Sequence, residues 1–201
     1  MSDLVRAFGL VSKALEELEI PFVIGGSFAS NTHGVARSTQ DIDLVVELTP
    51  TQLTSFAARL GKEFYLDAEA AREALLANRP FNAIHMLTAY KFDFFPTSFS
   101  PLGPNQINRR LFVVVPEISQ FAVPVLSAED VLLIKLWWFS IGGRISDRQW
   151  NDIESVAKLQ VGRLDFAYLT SWASILEVHD LLAKLEISKP DLVAGRDIQE
   201  C

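Results

Sequence analysis

Apolar residues recur along this chain with two periods. Leu4, Phe8, Val11, Leu15 and Leu18 stand three or four apart, which predicts an amphipathic helix over residues 3–18. Pro21 ends it, and Phe22-Val23-Ile24 reads as a short apolar strand cut off by Gly25-Gly26. Residues 27–33 read as a short helix closed by Gly34. Residues 42–48 are mostly apolar after Asp43, as expected of a buried central strand. Thr49, Pro50 and Gln52 are placed as cap, first turn and third residue of a helix that should end at Gly61. A strand over 63–66 and a helix over 67–77 follow, then strands over 81–87 and 90–95 joined as a hairpin by Thr88-Ala89.

Beyond that hairpin the texture changes. Residues 96–104 carry three prolines and read as turns, and strands are expected over 111–115 and, weakly, 121–125. Ser127-Ala128-Glu129-Asp130 has the form of a capping box ahead of a helix over 131–141, which Gly142-Gly143 breaks. A helix over 146–160 and one or two more over 165–185 complete the pattern, with a frayed tail after Lys189. The expected fold is α/β (α+β): a mixed central sheet with flanking helices over residues 1–125, then a helical region, 126–201, packed on it.

Composition narrows the class. The 201 residues suffice for one domain that buries roughly 70% of its unfolded surface without disulfides. The single cysteine, Cys201, excludes an internal disulfide framework and a cysteine-based zinc site, and it fits a reducing cytoplasm. Residues 1–20 carry charges throughout, which argues against a secretory leader, and no apolar run approaches a bilayer span. A net charge of −7 argues against general nucleic-acid binding.

The chemistry concentrates around one segment. A strand ends at Gly25-Gly26 and a helix starts at Ser27, so free N–H groups and a partial positive charge are offered to a phosphate. Asp41 and Asp43 stand two apart on the next strand and share a face. Adjacent carboxylates repel unless a cation joins them, and oxygen donors of this kind favour Mg²⁺ or Mn²⁺. Asp93 lies among Phe92, Phe94 and Phe95, where an unpaired carboxylate would be costly. It either meets a cation brought by the other acids or pairs with Lys91 on its own strand.

Gly25-Gly26-Ser27, a spacer of fourteen residues from Ser27 to Gln40, and Asp41-Ile42-Asp43-Leu44 resemble the signature of the nucleotidyltransferase superfamily, the DNA polymerase β-like fold. His33, Gly34, Arg37 and Thr39 within the spacer, Lys91-Phe92-Asp93, and the helix from Ser127 through Lys135 followed by Arg144, Asp147 and Asp152 resemble its bacterial AbiEii-like abortive-infection branch. The resemblance implies Mg²⁺-dependent transfer of a nucleoside monophosphate from an NTP to a hydroxyl acceptor. tRNA, a protein or a small molecule are each open as acceptor, as is an antitoxin-like protein partner. It implies Gly25, Gly26 and Ser27 as the phosphate clamp, Asp41 and Asp43 as ligands of two metal ions, and Asp93 as base and second-metal ligand. Two bound Mg²⁺ would offset part of the chain's acidity. The alternatives are a non-enzymatic nucleotide binder or toxin–antitoxin interaction protein on the same fold, and a metal-dependent phosphohydrolase.

Other residues keep two readings each. Arg37 either contacts a phosphate or pairs with Asp41 or Asp43. Lys135 either snorkels from its apolar helix or reaches a phosphate or the acceptor. Arg144 and Arg148, near the helix break, either line the same cleft or have no part in it, and the sequence assigns them no role. His33 reads as a helix-end residue and His85 as a strand histidine satisfied locally. Trp137, Trp138, Trp150 and Trp172 read as core or interface anchors rather than base-stacking platforms.

Overall fold

A computed structural model describes residues 2–185 and 187. Helix α1 spans Asp3–Glu17, with the Ser2 hydroxyl capping it by accepting from the Val5 amide, and it buries Phe8, Val11 and Leu15. Strand β1 (Phe22–Ile24), helix α2 (Gly26–His33) and strand β2 (Asp41–Val46) follow. Helix α3 (Leu53–Leu60) begins three residues later than the Thr49 cap implied. The Gln52 side chain accepts instead from the Thr49 amide and hydroxyl, at 3.1 and 2.7 Å. That closes residues 49–52 as a turn of their own.

Strand β3 (Phe64–Tyr65), helix α4 (Ala68–Leu76), and strands β4 (Phe81–His85) and β5 (Lys91–Pro96) come next. Residues 96–104 are less irregular than their prolines suggested, because helix α5 (Gly103–Asn108) starts within them. Pro104 occupies its first turn, where a missing N–H leaves no bond unmade. Strands β6 (Leu111–Val114) and β7 (Ala122–Val125) lead into helices α6 (Ala128–Ile141), α7 (Asp147–Leu159), α8 (Phe166–Ile175) and α9 (His179–Leu182). The expected tail after Lys189 lies outside the described residues. Among those residues no helix is long and apolar enough to cross a membrane.

The strands form one mixed sheet, ordered β3-β4-β5-β2-β1-β7-β6. Its centre is the parallel pair β2–β5, in which Ile42 faces Phe92, Asp43 faces Asp93 and Leu44 faces Phe94. Because side chains alternate across a strand, this register sorts the segment into two faces. Ile42, Leu44, Val46, Phe92 and Phe94 are all fully buried on one. Phe94 there meets Phe56 of α3 edge-on at 5.3 Å and stacks on Phe81 at 5.0 Å. Each such side chain contributes roughly 1.5–3 kcal/mol by leaving water. Asp41, Asp43, Val45, Lys91, Asp93 and Phe95 take the other face.

The helical region docks on α2. His33 Nε2 lies 2.7 Å from the Leu126 carbonyl, the Val35 amide donates to Ser155 Oγ at 2.6 Å, and Gln160 Nε2 donates to the His33 carbonyl at 2.9 Å. A side chain at Gly34 would press on Ser155 and Val156 of α7. The His-Gly pair of the spacer is therefore a docking joint, and it carries α7 to the mouth of β2.

Candidate functional site

A cavity of about 410 Å³ opens between the polar face of the sheet and helices α6 and α7. Its first wall is the β1–α2 junction. Gly26 has φ +53°, and a Cβ there would overlap the Asp43 carboxylate, so only glycine allows α2 to start against the aspartate. The Gly25 amide continues the β1–β2 ladder by donating to the Asp43 carbonyl at 2.9 Å. Helix α2 thus begins at Gly26, one residue before the expected start. Its N-terminus, with Gly25, Gly26 and Ser27, lines the cavity beside Asp43.

The opposite wall is cationic. Arg37 Nε and Nη2 donate to the two Asp152 carboxylate oxygens at 2.8 and 2.7 Å, and Nη2 also donates to Ser27 Oγ at 2.7 Å. Asn31 fixes the arginine's backbone through bonds of 2.7 and 3.1 Å to its carbonyl and amide. Lys135 Nζ donates to Asp152 Oδ2 at 2.9 Å. Arg37 therefore pairs with neither Asp41 nor Asp43, and Lys135 turns into the cavity instead of snorkelling out, its side chain only 13% exposed. Arg148 lines the same wall, whereas Arg144 pairs with Asp180 elsewhere on the surface.

Asp152 is the residue that sequence reasoning left unassigned. Burial alone would raise its carboxyl, but the bonds from Arg37 and Lys135 hold it down at about 2. Its only trace in the sequence was its place among the residues expected to resemble the AbiEii-like branch. Four residues after Arg148, it stands on the same face of α7.

Asp43 behaves in the opposite way. Burial pushes its carboxyl up to about 6, and the charges of Asp93 and, less strongly, Asp41 add to the rise against the pull of Lys135 and Lys91. Asp41 and Asp93 share its face but do not line the cavity; the Asp41 side chain is 57% exposed. Lys91 Nζ lies 2.8 Å from Asp93 Oδ2 and 3.9 Å from Asp41 Oδ1, so the pairing within β5 is made. The bond to Asp93 raises the lysine's own pKa.

The three aspartates offer oxygen donors alone, which suits Mg²⁺ or Mn²⁺. Asp43 is a half-buried carboxylate with acidic neighbours, and a cation would relieve it. The donor chemistry fits such an ion. As placed, however, no group of three His, Cys, Asp or Glu side chains among the described residues is set to hold one; a lysine ammonium stands between Asp41 and Asp93 instead.

Of the four tryptophans Trp137, Trp150 and Trp172 pack on the core as expected, and Trp138 departs from expectation. Trp138 lines the cavity with Phe95 and Phe99, while Trp150 sits against Phe139 at 5.2 Å. Trp137 and Trp138 both contact Phe99, at 5.8 and 5.5 Å. His85 Nδ1 lies 2.8 Å from Thr88 Oγ1, a local partner as expected.

No protein-family model matches the sequence, and no curated protein does. Among solved structures, the chain is similar to an antigenic nucleotidyltransferase-like protein from Paracoccidioides brasiliensis, with 19% identity, a TM-score of 0.59, and 93% of this chain and 94% of that one covered. The chain has a nucleotidyltransferase fold. It is also similar to ANT(2'')-Ia in complex with adenylyl-2''-tobramycin, at 14% identity and a TM-score of 0.54 over 88% of this chain and 98% of that one. The solution structure of the same antibiotic-resistance factor gives 14% identity and 0.51 over 89% and 90%. At these identities the likeness is one of fold. Within the nucleotidyltransferase fold the cavity lies where β1, α2 and β2 meet.

Proposed function

We propose that this chain is a cytoplasmic, Mg²⁺-dependent nucleotidyltransferase that moves a nucleoside monophosphate from an NTP to a hydroxyl acceptor. One observation carries the reading. A glycine-shaped helix N-terminus, a half-buried carboxylate in register with a second one, and an arginine–lysine pair converge on one cavity. The shared fold and the AbiEii-like wording of the motifs add support, and ANT(2'')-Ia, similar in fold, is solved with an adenylylated small molecule.

In this reading Gly25, Gly26 and Ser27 seat the donor's phosphates at the start of α2. Arg37 and Lys135, held in place by Asp152, lie against the leaving pyrophosphate and stabilise the charge that grows on it. Asp41, Asp43 and Asp93 would hold two Mg²⁺ ions, with Mn²⁺ as a substitute. When bound, the ions neutralise the carboxylates and the phosphate oxygens and lower the acceptor hydroxyl's pKa. Asp93 takes the acceptor's proton. The acceptor oxygen then forms its bond to the α-phosphorus as the bond to pyrophosphate breaks.

The test is incubation with each α-labelled NTP, Mg²⁺ and cell extract. Label should pass to one acceptor fraction, whether tRNA, protein or small molecule, with release of pyrophosphate. Label that stays in the NTP with no pyrophosphate released contradicts the proposal. Orthophosphate release would make the chain a phosphohydrolase.

The Lys91 contacts with Asp93 and Asp41 favour a second reading, a nucleotide-binding or toxin–antitoxin interaction protein in which lysine takes the cation's place. Such a protein binds NTP without releasing pyrophosphate.

A further inference from the structure

The phosphate end is only part of the cavity. Its other end is walled by Val45, Phe95, Phe99, Ile134 and Trp138. These side chains are half-buried, while Leu44, Phe94, Leu133 and Leu136 on the same elements are sealed in the core. Phe99 and Trp138 lie stacked with centroids 5.5 Å apart, and Phe95 closes against both at 5.8 and 6.1 Å. The only carboxylates among the residues lining the cavity are Asp43 and Asp152, and Asp152 is already neutralised by Arg37 and Lys135.

We propose that this aromatic end seats the donor's nucleobase, chiefly by stacking and apolar contact. The inference rests on the nucleotidyl-transfer reading above. A single cavity with a cationic, N–H-rich end and a flat apolar end matches a ligand that is anionic at one end and aromatic at the other, which is a nucleotide. The acceptor has a separate approach. Asp93 and Asp41 do not line the cavity, and Asp41 is exposed, so the walled end is left to the donor. The polar side chains beside it, Ser100 and Gln106, are only 7% and 1% exposed. Ser146, the cap of α7, and Arg148 and Gln149 within it line the cavity as well and are more open; the stacking area of the base sets preference, so purines outrank pyrimidines.

The test is calorimetry on the full chain with Mg²⁺, titrating ATP, UTP and inorganic tripolyphosphate into wild type, Phe99→Ala and Phe99→Leu. The leucine variant keeps apolar volume and removes only the ring, so it stands in if the alanine variant does not fold. The expected result is a loss of ATP affinity of at least tenfold, a smaller loss for UTP, and unchanged tripolyphosphate affinity. Unchanged ATP affinity, with ATP and tripolyphosphate still binding wild type, overturns the base seat while leaving the transfer reading in place. Equal losses for ATP and tripolyphosphate also overturn it, since the ring would then be acting on the cavity as a whole. If neither ATP nor tripolyphosphate binds wild type, the nucleotide reading itself falls and the base seat falls with it.

Discussion

Asp43 enters the cavity from the sheet and Asp152 enters it from the helical wall, and their surroundings drive the two carboxyls in opposite directions. Both are desolvated. Asp152 receives a forked guanidinium and an ammonium and is held at about 2. Asp43 has Asp93 across the strand pair and Asp41 two residues away, and it is pushed up to about 6. The helical wall is a finished ion-pair network, whereas the sheet wall keeps an excess of negative charge at its centre. Structural ion pairs and reactive centres can both perturb carboxylates; here the two shifts have opposite signs.

The largest effect expected from breaking this contrast is on catalysis. Asp43→Asn should lower pyrophosphate release from NTP by on the order of a thousandfold, with the circular-dichroism spectrum unchanged. On the other wall, Asp152→Asn removes the group that orients Arg37 and Lys135 without touching the sheet. It should cost roughly 10–100-fold in activity, as loss of an orienting partner does, and a steady-state comparison of the two variants measures the gap.

Stability should move the opposite way. A carboxyl whose folded pKa is raised from 3.8 to about 6 stabilises the fold below pH ~4, and that stabilisation is lost as pH rises through about 6. At pH 7.5 Asp43 therefore opposes folding by up to roughly 3 kcal/mol. Asp43→Asn should raise the denaturation midpoint at pH 7.5 and leave it unchanged at pH 3.5. Asp152, with its pKa lowered, contributes stability above pH ~4 that is lost as pH falls toward about 2. Asp152→Asn should cost about 1 kcal/mol at pH 7.5 after allowance for solvent screening, read from urea unfolding.

The smallest expected effect is at Lys91. Lys91 is partly exposed and bonded to Asp93, so Lys91→Met should cost no more than about 1 kcal/mol. It should also move the Asp43 titration upward, because Lys91 is one of the two charges that lower it. A downward movement would show that the lysine does not act on this centre.

The sheet wall was legible in the sequence because its determinants are local. A three-residue apolar strand, two glycines and acids spaced by two fix which side chains share a face, and the same period aligned Lys91 with Asp93. The helical wall was not, because Arg37 and Asp152 meet only after α7 docks through His33, Gly34 and Ser155. No periodicity encodes that contact. Helix α5 was hidden for another reason: its Gly103-Pro104 start has turn composition, and only the chain's continuation shows proline in a first turn. Trp138 looked like a core anchor because the apolar residues around α6 give no sign of which side faces a cavity.

The most direct test of the contrast is a carbon-13 NMR titration of the aspartate carboxyls, assigned with Asp43→Asn and Asp152→Asn, with and without Mg²⁺. Without the ion, one carboxyl should titrate near 6 and another near 2. Mg²⁺ should carry the first below the ordinary carboxylate value of ~4 and leave the second in place. Two carboxyls titrating near the ordinary value, or an Asp43 signal indifferent to Mg²⁺, would contradict the account.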